Sequence, residues 1–349
     1  MVPELGEEEK GPTTLCSGQA PICPFPEKGY SNPMQPAKPK AAGLETDIHT
    51  YLERAACPLC GGDGGKIVIE AGDTWNSRGP ARGLKFKVRR CQKCGMCFTS
   101  PRFREDSKHV PFLGRRLFPA PTKKQGAAVT RQEMRPFLRR AERLQRAHPV
   151  PGKVLDLAMG DGVFLHLLRA RGWSVTGIEK DREVVARART QRSIADCSAC
   201  DVEYDPLPPG PFDAVVLWGL LPRMYRPRVF LEKVREVLAP GGVIGISVPN
   251  IRSAGAWLFR KHWSGLGLPR HLVHFDRDSL NRLVESSGYQ VLELSFETPA
   301  GSTGDSVRSA LPLPGLLGGI TRLSASILLG GFGGTGRGDS ITLIARATR

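Results

Sequence analysis

Two cysteine pairs carry the densest chemistry in this sequence: Cys57-Pro-Leu-Cys60-Gly61 and Cys91-Gln-Lys-Cys94-Gly95. Each offers two thiolates to one ion, and the glycine that follows lets the turn fold back until its amides face the sulfurs. Four such sulfurs close a tetrahedral zinc site and leave no position open for water, so the ion they would hold is structural. Cys97, three residues beyond Cys94, could compete as a ligand, but it lacks a following glycine and is read as packing inside. A second feature is the glycine-rich turn Val154-Leu-Asp-Leu-Ala-Met-Gly-Asp-Gly162, set between an apolar run of strand length and a helical pattern. Glycines there let a ligand approach the backbone, and the helix start offers unpaired N–H groups. An acid ending the next strand, here Glu179, can bind two ribose hydroxyls. The nicotinamide-dinucleotide pattern G-x-G-x-x-G is absent.

These residues need a scaffold, and the pattern supplies one from Lys153 onward, where strand-length apolar runs alternate with helical periodicity. Strands are predicted at Lys153 to Met159, Ser174 to Glu179, weakly near Ser193 to Ala199, then Phe212 to Trp218, Gly242 to Val248, Val291 to Phe296 and Ile341 to Ala347. Helices are predicted at Val163 to Arg171, Arg182 to Gln191, Arg228 to Leu238, and Asp278 to Ser287 with Asp276 as cap. The domain reading is a tail over 1–50, a cysteine module over 51–104, a basic linker and helix over 105–150, and the α/β domain over 151–349. The basic helix, Arg131 to His148, sets Phe137, Leu138 and Leu144 among arginines. Two readings stay open: a surface for an anionic partner, or a helix docked by its apolar stripe with solvated arginines.

From Gly152 to Arg349 the sequence resembles a class I S-adenosylmethionine-dependent methyltransferase. Asp156, Gly160, Asp161 and Gly162 match the first motif of that family, Glu179 its ribose acid, and Asp201 the acid that meets the adenine amine. Leu238-Ala-Pro-Gly-Gly242 and Val248-Pro-Asn250 match the turn before the fifth strand and that strand's end, and the module ending Cys94-Gly-Met-Cys-Phe-Thr-Ser-Pro-Arg102 resembles a zinc ribbon. The resemblance implies a seven-stranded Rossmann-like sheet with its last strand antiparallel. It also implies S-adenosylmethionine as cofactor, held by Asp156, Ala158, Gly160, Asp161, Gly162, Glu179, Asp201, Val202 and Trp218. Two departures stand out: Ala158 replaces the first motif glycine, and Leu221-Pro-Arg-Met224 stands where many relatives carry Glu-His.

Methyl transfer is an in-line displacement in which orientation and exclusion of water do most of the work, and a base is needed only where the acceptor must lose a proton. His271 and His274 are the clustered candidates for that base, against a packing role beneath Phe275 and Trp263. Tyr225 and Trp218 are candidates for lining an acceptor pocket, against a place in the core. The stretch from Asn250 to Asp276 is predicted to act as a lid.

The chain has 349 residues, 40% hydrophobic and 24% charged, which excludes fibrous and wholly disordered classes. Its net charge of +16 is uneven: −5 over 1–77, +16 over 78–150 and +5 over 151–349. The acidic start lacks an apolar signal segment, which predicts a cytoplasmic protein, so the nine cysteines read first as ligands or free thiols. Leu311 to Phe332 is broken by prolines, glycines and Arg322 and is not expected to span a bilayer. The leading reading is a methyltransferase for a small molecule, saccharide or lipid-linked precursor. An RNA methyltransferase is the second, favoured by the zinc ribbon and the basic segment around it but lacking interleaved aromatics for base stacking. A catalytically silent binding module is the third. The sequence leaves the oligomeric state open.

Overall fold

The computed structural model describes residues 48–74, 81, 83–109, 131–311, 325 and 335–348. The predicted tail, apart from its last residues, lies outside these, as do Cys16, Cys23, residues 110–130 of the linker and nearly all of Leu311 to Phe332. The order is β1 (Leu52–Glu53), β2 (Gly65–Ala71), β3 (Phe86–Cys91), β4 (Cys97–Thr99), β5 (Arg102–Phe103), then α1 (Arg131–Ala147). The α/β part follows as β6 (Lys153–Asp156), α2 (Val163–Arg169), β7 (Ser174–Glu179), α3 (Arg182–Arg192), β8 (Cys197–Ala199), β9 (Phe212–Trp218) and α4 (Pro227–Glu236). It ends with β10 (Leu238–Pro249), α5 (Ala254–Phe259), β11 (Val273–His274), α6 (Arg277–Ser286), β12 (Tyr289–Glu297), α7 (Ala300–Ala310) and β13 (Ser340–Ala347).

The main sheet has seven strands in the order β12-β13-β10-β9-β6-β7-β8. β6 to β10 run parallel, whereas β13 pairs antiparallel with β10 and with β12, as the resemblance implies. Parallel strands covered on both faces read as unbroken apolar runs, and β9, Phe-Asp-Ala-Val-Val-Leu-Trp, has Ala214 to Leu217 fully buried. One core layer, with Leu155, Leu217, Ile244, Leu280 and Leu283, lies on the α4–α6 face. The other, with Ala141, Leu144, Phe164, Leu165 and Val185, lies under α1, α2 and α3. Predicted α6 is found with Asp276 as N-cap, its carboxylate accepting from Ser279 N at 2.9 Å and Asp276 N donating to Ser279 Oγ at 3.0 Å.

The cysteine module is joined to this domain by a shared sheet. β2, β3 and β4 form an antiparallel meander whose outer partner is β11, with Val273 opposite Phe98 and His274 opposite Cys97. Trp263, Leu266 and Leu268, from the stretch predicted as a lid, are buried with Phe86, Val88 and Phe103 of the module. The stretch is therefore packed onto the ribbon as a built wall, a correction to the picture of a free-standing lid.

The basic helix is also corrected. α1 docks through Phe137, Ala141 and Leu144, but two of its arginines turn inward instead of into solvent. Arg140 stacks 5.0 Å from the Trp218 ring and donates to Ser247 Oγ at 3.0 Å. Arg143 bridges Glu293 and Glu297 of β12, and Arg146 reaches Glu293 at 3.0 Å. Part of the basic excess is thus consumed by the fold. Charge reversal at Arg140 or Arg143 would perturb the domain before it tested any surface.

Candidate functional site

At the carboxyl edge of β6 the chain must leave the sheet and start α2 within a few residues. Gly160 and Gly162, with φ of +54° and +78°, make that reversal, and Gly162 N-caps α2 without a side chain. A Cβ at Gly160 would meet nothing within 4 Å, so the turn opens onto free space of the kind a ligand fills. Asp156 lies behind the turn, 1% exposed, accepting from Ala158 N at 3.1 Å, and burial pushes its carboxyl up to about 7. Ala158 itself avoids the left-handed region that would have required glycine. Glu179 ends the neighbouring strand: Oε2 accepts from Gly160 N at 3.1 Å, and Oε1 from Lys180 N and Asp181 N at 2.8 and 3.3 Å. One strand further, after β8, Asp201 is ion-paired with Lys180 Nζ at 2.6 Å, and Val202 is buried beside it. Asp161 sits within the turn.

Trp218 closes β9. Its ring meets Phe164 edge-on at 5.3 Å, lies beneath Arg140, and occupies the space that a Cβ at Gly245 would need. The next residue, Gly219, has φ of +73° and, like Gly160, open space where a Cβ would point. The sequence reading takes Arg140, with Arg139 and Arg143, as a surface arginine whose charge reversal would test binding of an RNA, and it passes over Gly219. The doubled Arg139-Arg140 was visible but its partners were not, and Gly219 had only its place after a strand to signal it. The Glu179 acid, the open glycine turn and the Asp201 acid thus share one edge of one sheet, and this set fits an adenosine-bearing cofactor.

Tyr225 is corrected to a structural residue. It is 4% exposed, its hydroxyl donates to the Phe103 carbonyl at 2.8 Å, and Arg102 stacks over its ring at 4.6 Å. His271 and His274 stand where the module meets the domain. His274 Nε2 bonds Thr99 Oγ1 at 2.9 Å, and that hydroxyl donates to the His271 carbonyl at 2.8 Å. Both rings, with Trp263, Ile251 and Pro249, line one small cavity. Burial pulls both imidazoles down to about 3, and for His271 the Arg223 charge, the His274 ring and Arg270 add to it.

A depressed histidine pKa means the unfolded chain binds more protons between about 3 and 6.5. The contribution of these rings is therefore complete above pH 6.5 and is lost as pH falls toward 3. At pH 5 the loss is on the order of 2 kcal/mol per ring. Urea unfolding at pH 7.5 and pH 5 should show a smaller acid loss for His274→Asn than for wild type. Equal losses would remove His274 from the account.

The four cysteine sulfurs lie within 4.8 Å of one another, with Cys57 Sγ 3.5 Å from Cys94 Sγ and Cys60 Sγ 3.5 Å from Cys91 Sγ. A tetrahedral thiolate site with bonds near 2.3 Å separates its sulfurs by about 3.8 Å, so the donor set fits zinc. Both knuckles close through backbone bonds, Gly61 N to the Cys57 carbonyl at 2.9 Å and Gly95 N to the Cys91 carbonyl at 3.0 Å. Cys97 is 2% exposed and packs inside, in β4.

Residues 129–294 match the model of a family described as a methyltransferase domain. Over this segment, just under half of the chain, the protein is similar to a class I, S-adenosylmethionine-dependent methyltransferase domain; the segment carries the parallel strands β6 to β10, and the antiparallel β13 lies beyond it. Over 146 residues the chain is 27% identical to a Mycolicibacterium smegmatis protein named "Probable S-adenosylmethionine-dependent methyltransferase", covering 42% of this chain and 55% of that one. Over 123 residues it is 30% identical to the ubiquinone biosynthesis O-methyltransferase of Pseudomonas aeruginosa, covering 33% and 51%. The chain thus spans about half the length of the curated relatives it matches. Among solved structures, an S-adenosylmethionine-dependent methyltransferase from Mesorhizobium loti aligns with a TM-score of 0.42 at 20% identity, over 59% of this chain and 96% of that one. Among the described residues, no helix is long and apolar enough to cross a membrane.

Proposed function

We propose that this protein transfers a methyl group from S-adenosylmethionine to a small molecule, a saccharide or a lipid-linked precursor. The observation that carries the reading is the pairing of Glu179 with the open turn at Gly160 on the carboxyl edge of the sheet. In this reading Glu179 takes the ribose hydroxyls, Asp201 and Val202 the adenine, and the glycine turn the amino-acid part of the donor. S-adenosylmethionine supplies an electrophilic methyl on sulfonium. The chain holds it, shields it from water with the wall built from residues 250–276 and the ribbon, and aligns the acceptor. A ring with a pKa near 3 is a weak proton acceptor at neutral pH, so His271 and His274 are assigned to shaping the wall and not to base catalysis. Zinc on Cys57, Cys60, Cys91 and Cys94 is assigned a structural role.

A small acceptor is preferred to RNA because Arg140, Arg143 and Arg146 of the basic helix are engaged within the domain. Calorimetric titration of the full chain with S-adenosylmethionine should give saturable one-to-one binding. Absence of binding would overturn the reading.

A further inference from the structure

The turn that carries Asp201 is tied to the ribbon. Tyr204 N and Asp205 N donate to the Asp201 carbonyl at 2.9 and 2.8 Å, and Asp201 N donates to Asp205 Oδ2 at 2.8 Å, so residues 201–205 close on themselves. Within the turn Glu203 N donates to Asp201 Oδ1 at 3.3 Å, which makes the backbone at Glu203 one of the groups that aim the Asp201 carboxylate. The Glu203 side chain is 5% exposed, and its Oε1 accepts from Tyr225 N at 2.6 Å. Tyr225 in turn reaches the last strand of the ribbon. Its hydroxyl donates to the Phe103 carbonyl of β5 at 2.8 Å, with the Arg104 carbonyl 3.3 Å away, and Arg102 stacks over its ring. Arg226 repeats the link, pairing at 2.9 Å with Glu105, just past β5. From α4, Lys233 Nζ donates to the Val202 and Asp205 carbonyls at 3.1 and 2.6 Å.

We infer that Glu203 and Tyr225 are positioning residues for the donor's adenine, and that the ribbon acts on purine recognition through them. The inference rests on the reading of Asp201 as the adenine acid and goes beyond it, because both residues act through Asp201. A carboxylate tells an exocyclic amine from a carbonyl only while its acceptor oxygen stays within hydrogen-bond distance and angle of the ring edge. The internal bonds of the turn fix its shape but not its place against the sheet. Its entry is held there by Cys200 N, which donates to the Glu179 carbonyl at 3.1 Å. Its far side is held by Glu203 and Lys233, and of these Glu203 carries the path to the ribbon. A hydrogen bond to a carboxylate is stronger than one between neutral groups, so this tether is a firm one. The ribbon thus serves the methyltransferase fold twice, as part of the wall over residues 250–276 and as the anchor behind the adenine turn.

The test is calorimetry on the full chain with S-adenosylhomocysteine and with S-inosylhomocysteine, which carries a carbonyl in place of the purine amine. Wild type should prefer the adenosyl ligand by about tenfold or more, and Asp201→Ala should erase that preference. Glu203→Ala should cut the preference by about threefold or more while affinity for the inosyl ligand stays within about twofold of wild type. Glu203→Gln, whose amide oxygen can still accept from Tyr225 N, should keep most of the preference. Tyr225→Phe removes one oxygen, the one bonded to the Phe103 carbonyl, and should lower the preference in the same sense; it carries the test if the alanine variant does not fold. A preference that survives both Glu203→Ala and Tyr225→Phe but not Asp201→Ala overturns the inference and leaves the reading of Asp201 standing. Equal loss of both ligands in either variant also overturns it, since the residues would then support the fold without aiming Asp201. A preference that survives Asp201→Ala overturns the adenine assignment itself, and a wild type that binds neither ligand overturns the methyl-transfer reading.

Discussion

Stripping the metal should undo far more than the ribbon. Purified protein is expected to contain one zinc per chain. Cys57→Ser combined with Cys91→Ser, or chelation under mild denaturant, should abolish it. Thiolate ligation ties metal binding to folding, with apparent energies of roughly 10 to 16 kcal/mol in zinc-finger peptides. Here β4 of the ribbon pairs with β11 of the methyltransferase domain, and Trp263 is buried at 1% exposure among residues that include Phe86, Phe103 and Leu268. Loss of zinc should therefore deprotect amides in β2 to β4 and in residues 263–275 together, and shift tryptophan fluorescence to the red. β6, β7 and β9, whose partners all lie in the main sheet, should stay protected. Substoichiometric zinc unchanged by the double substitution would sink the assignment. Deprotection confined to the ribbon would show that the shared sheet carries no coupling.

Much of the scaffold could be read from the chain because its strands declare themselves locally. Ser174 to Glu179 and Phe212 to Trp218 are found with the predicted bounds: the second is an apolar run broken only by Asp213, and the first, Ser-Val-Thr-Gly-Ile-Glu, carries β-branched residues between Gly172 and the Lys180-Asp181 turn. β8 was weak in the sequence and is only Cys197–Ala199, an edge strand with a single partner. The fifth strand was predicted from Gly242, but it begins at Leu238, because Leu238 pairs with Phe212 before a register shift that resumes at Val243.

What stayed hidden depends on contacts between distant residues. β11 is two residues long and has no periodicity to detect, yet it joins two parts of the molecule across about 175 positions, through Thr99 and His274. The burial of Arg140 likewise follows from Ser247 and Trp218, which no pattern within its helix announces. The four cysteine sulfurs come together as their doubled spacing predicts, and Glu179 ends β7 where the strand pattern predicts, because both follow from local sequence.

Glu179→Ala should cost at least a tenfold loss in affinity for S-adenosylmethionine, measured by calorimetry at fixed ionic strength. Hydrogen bonds to a charged group contribute about 1.5 to 3 kcal/mol each, and tenfold corresponds to about 1.4 kcal/mol, so losing a single ribose bond is sufficient. The hydrogen bonds of the carboxylate add a second reason. It accepts from Gly160 N, Lys180 N and Asp181 N, so it holds the glycine turn in shape. Removing it both deletes the ribose acceptor and releases the turn. Glu179→Gln separates the two effects: its amide oxygen can still accept from one or two of these N–H groups, but it loses the charge and turns an acceptor into a donor toward the ribose. The glutamine variant should therefore keep the thermal stability of wild type while binding more weakly, and the alanine variant should lose both. If Glu179→Ala binds S-adenosylmethionine as well as wild type, the ribose does not lie at the end of β7 and the cofactor assignment to this edge fails.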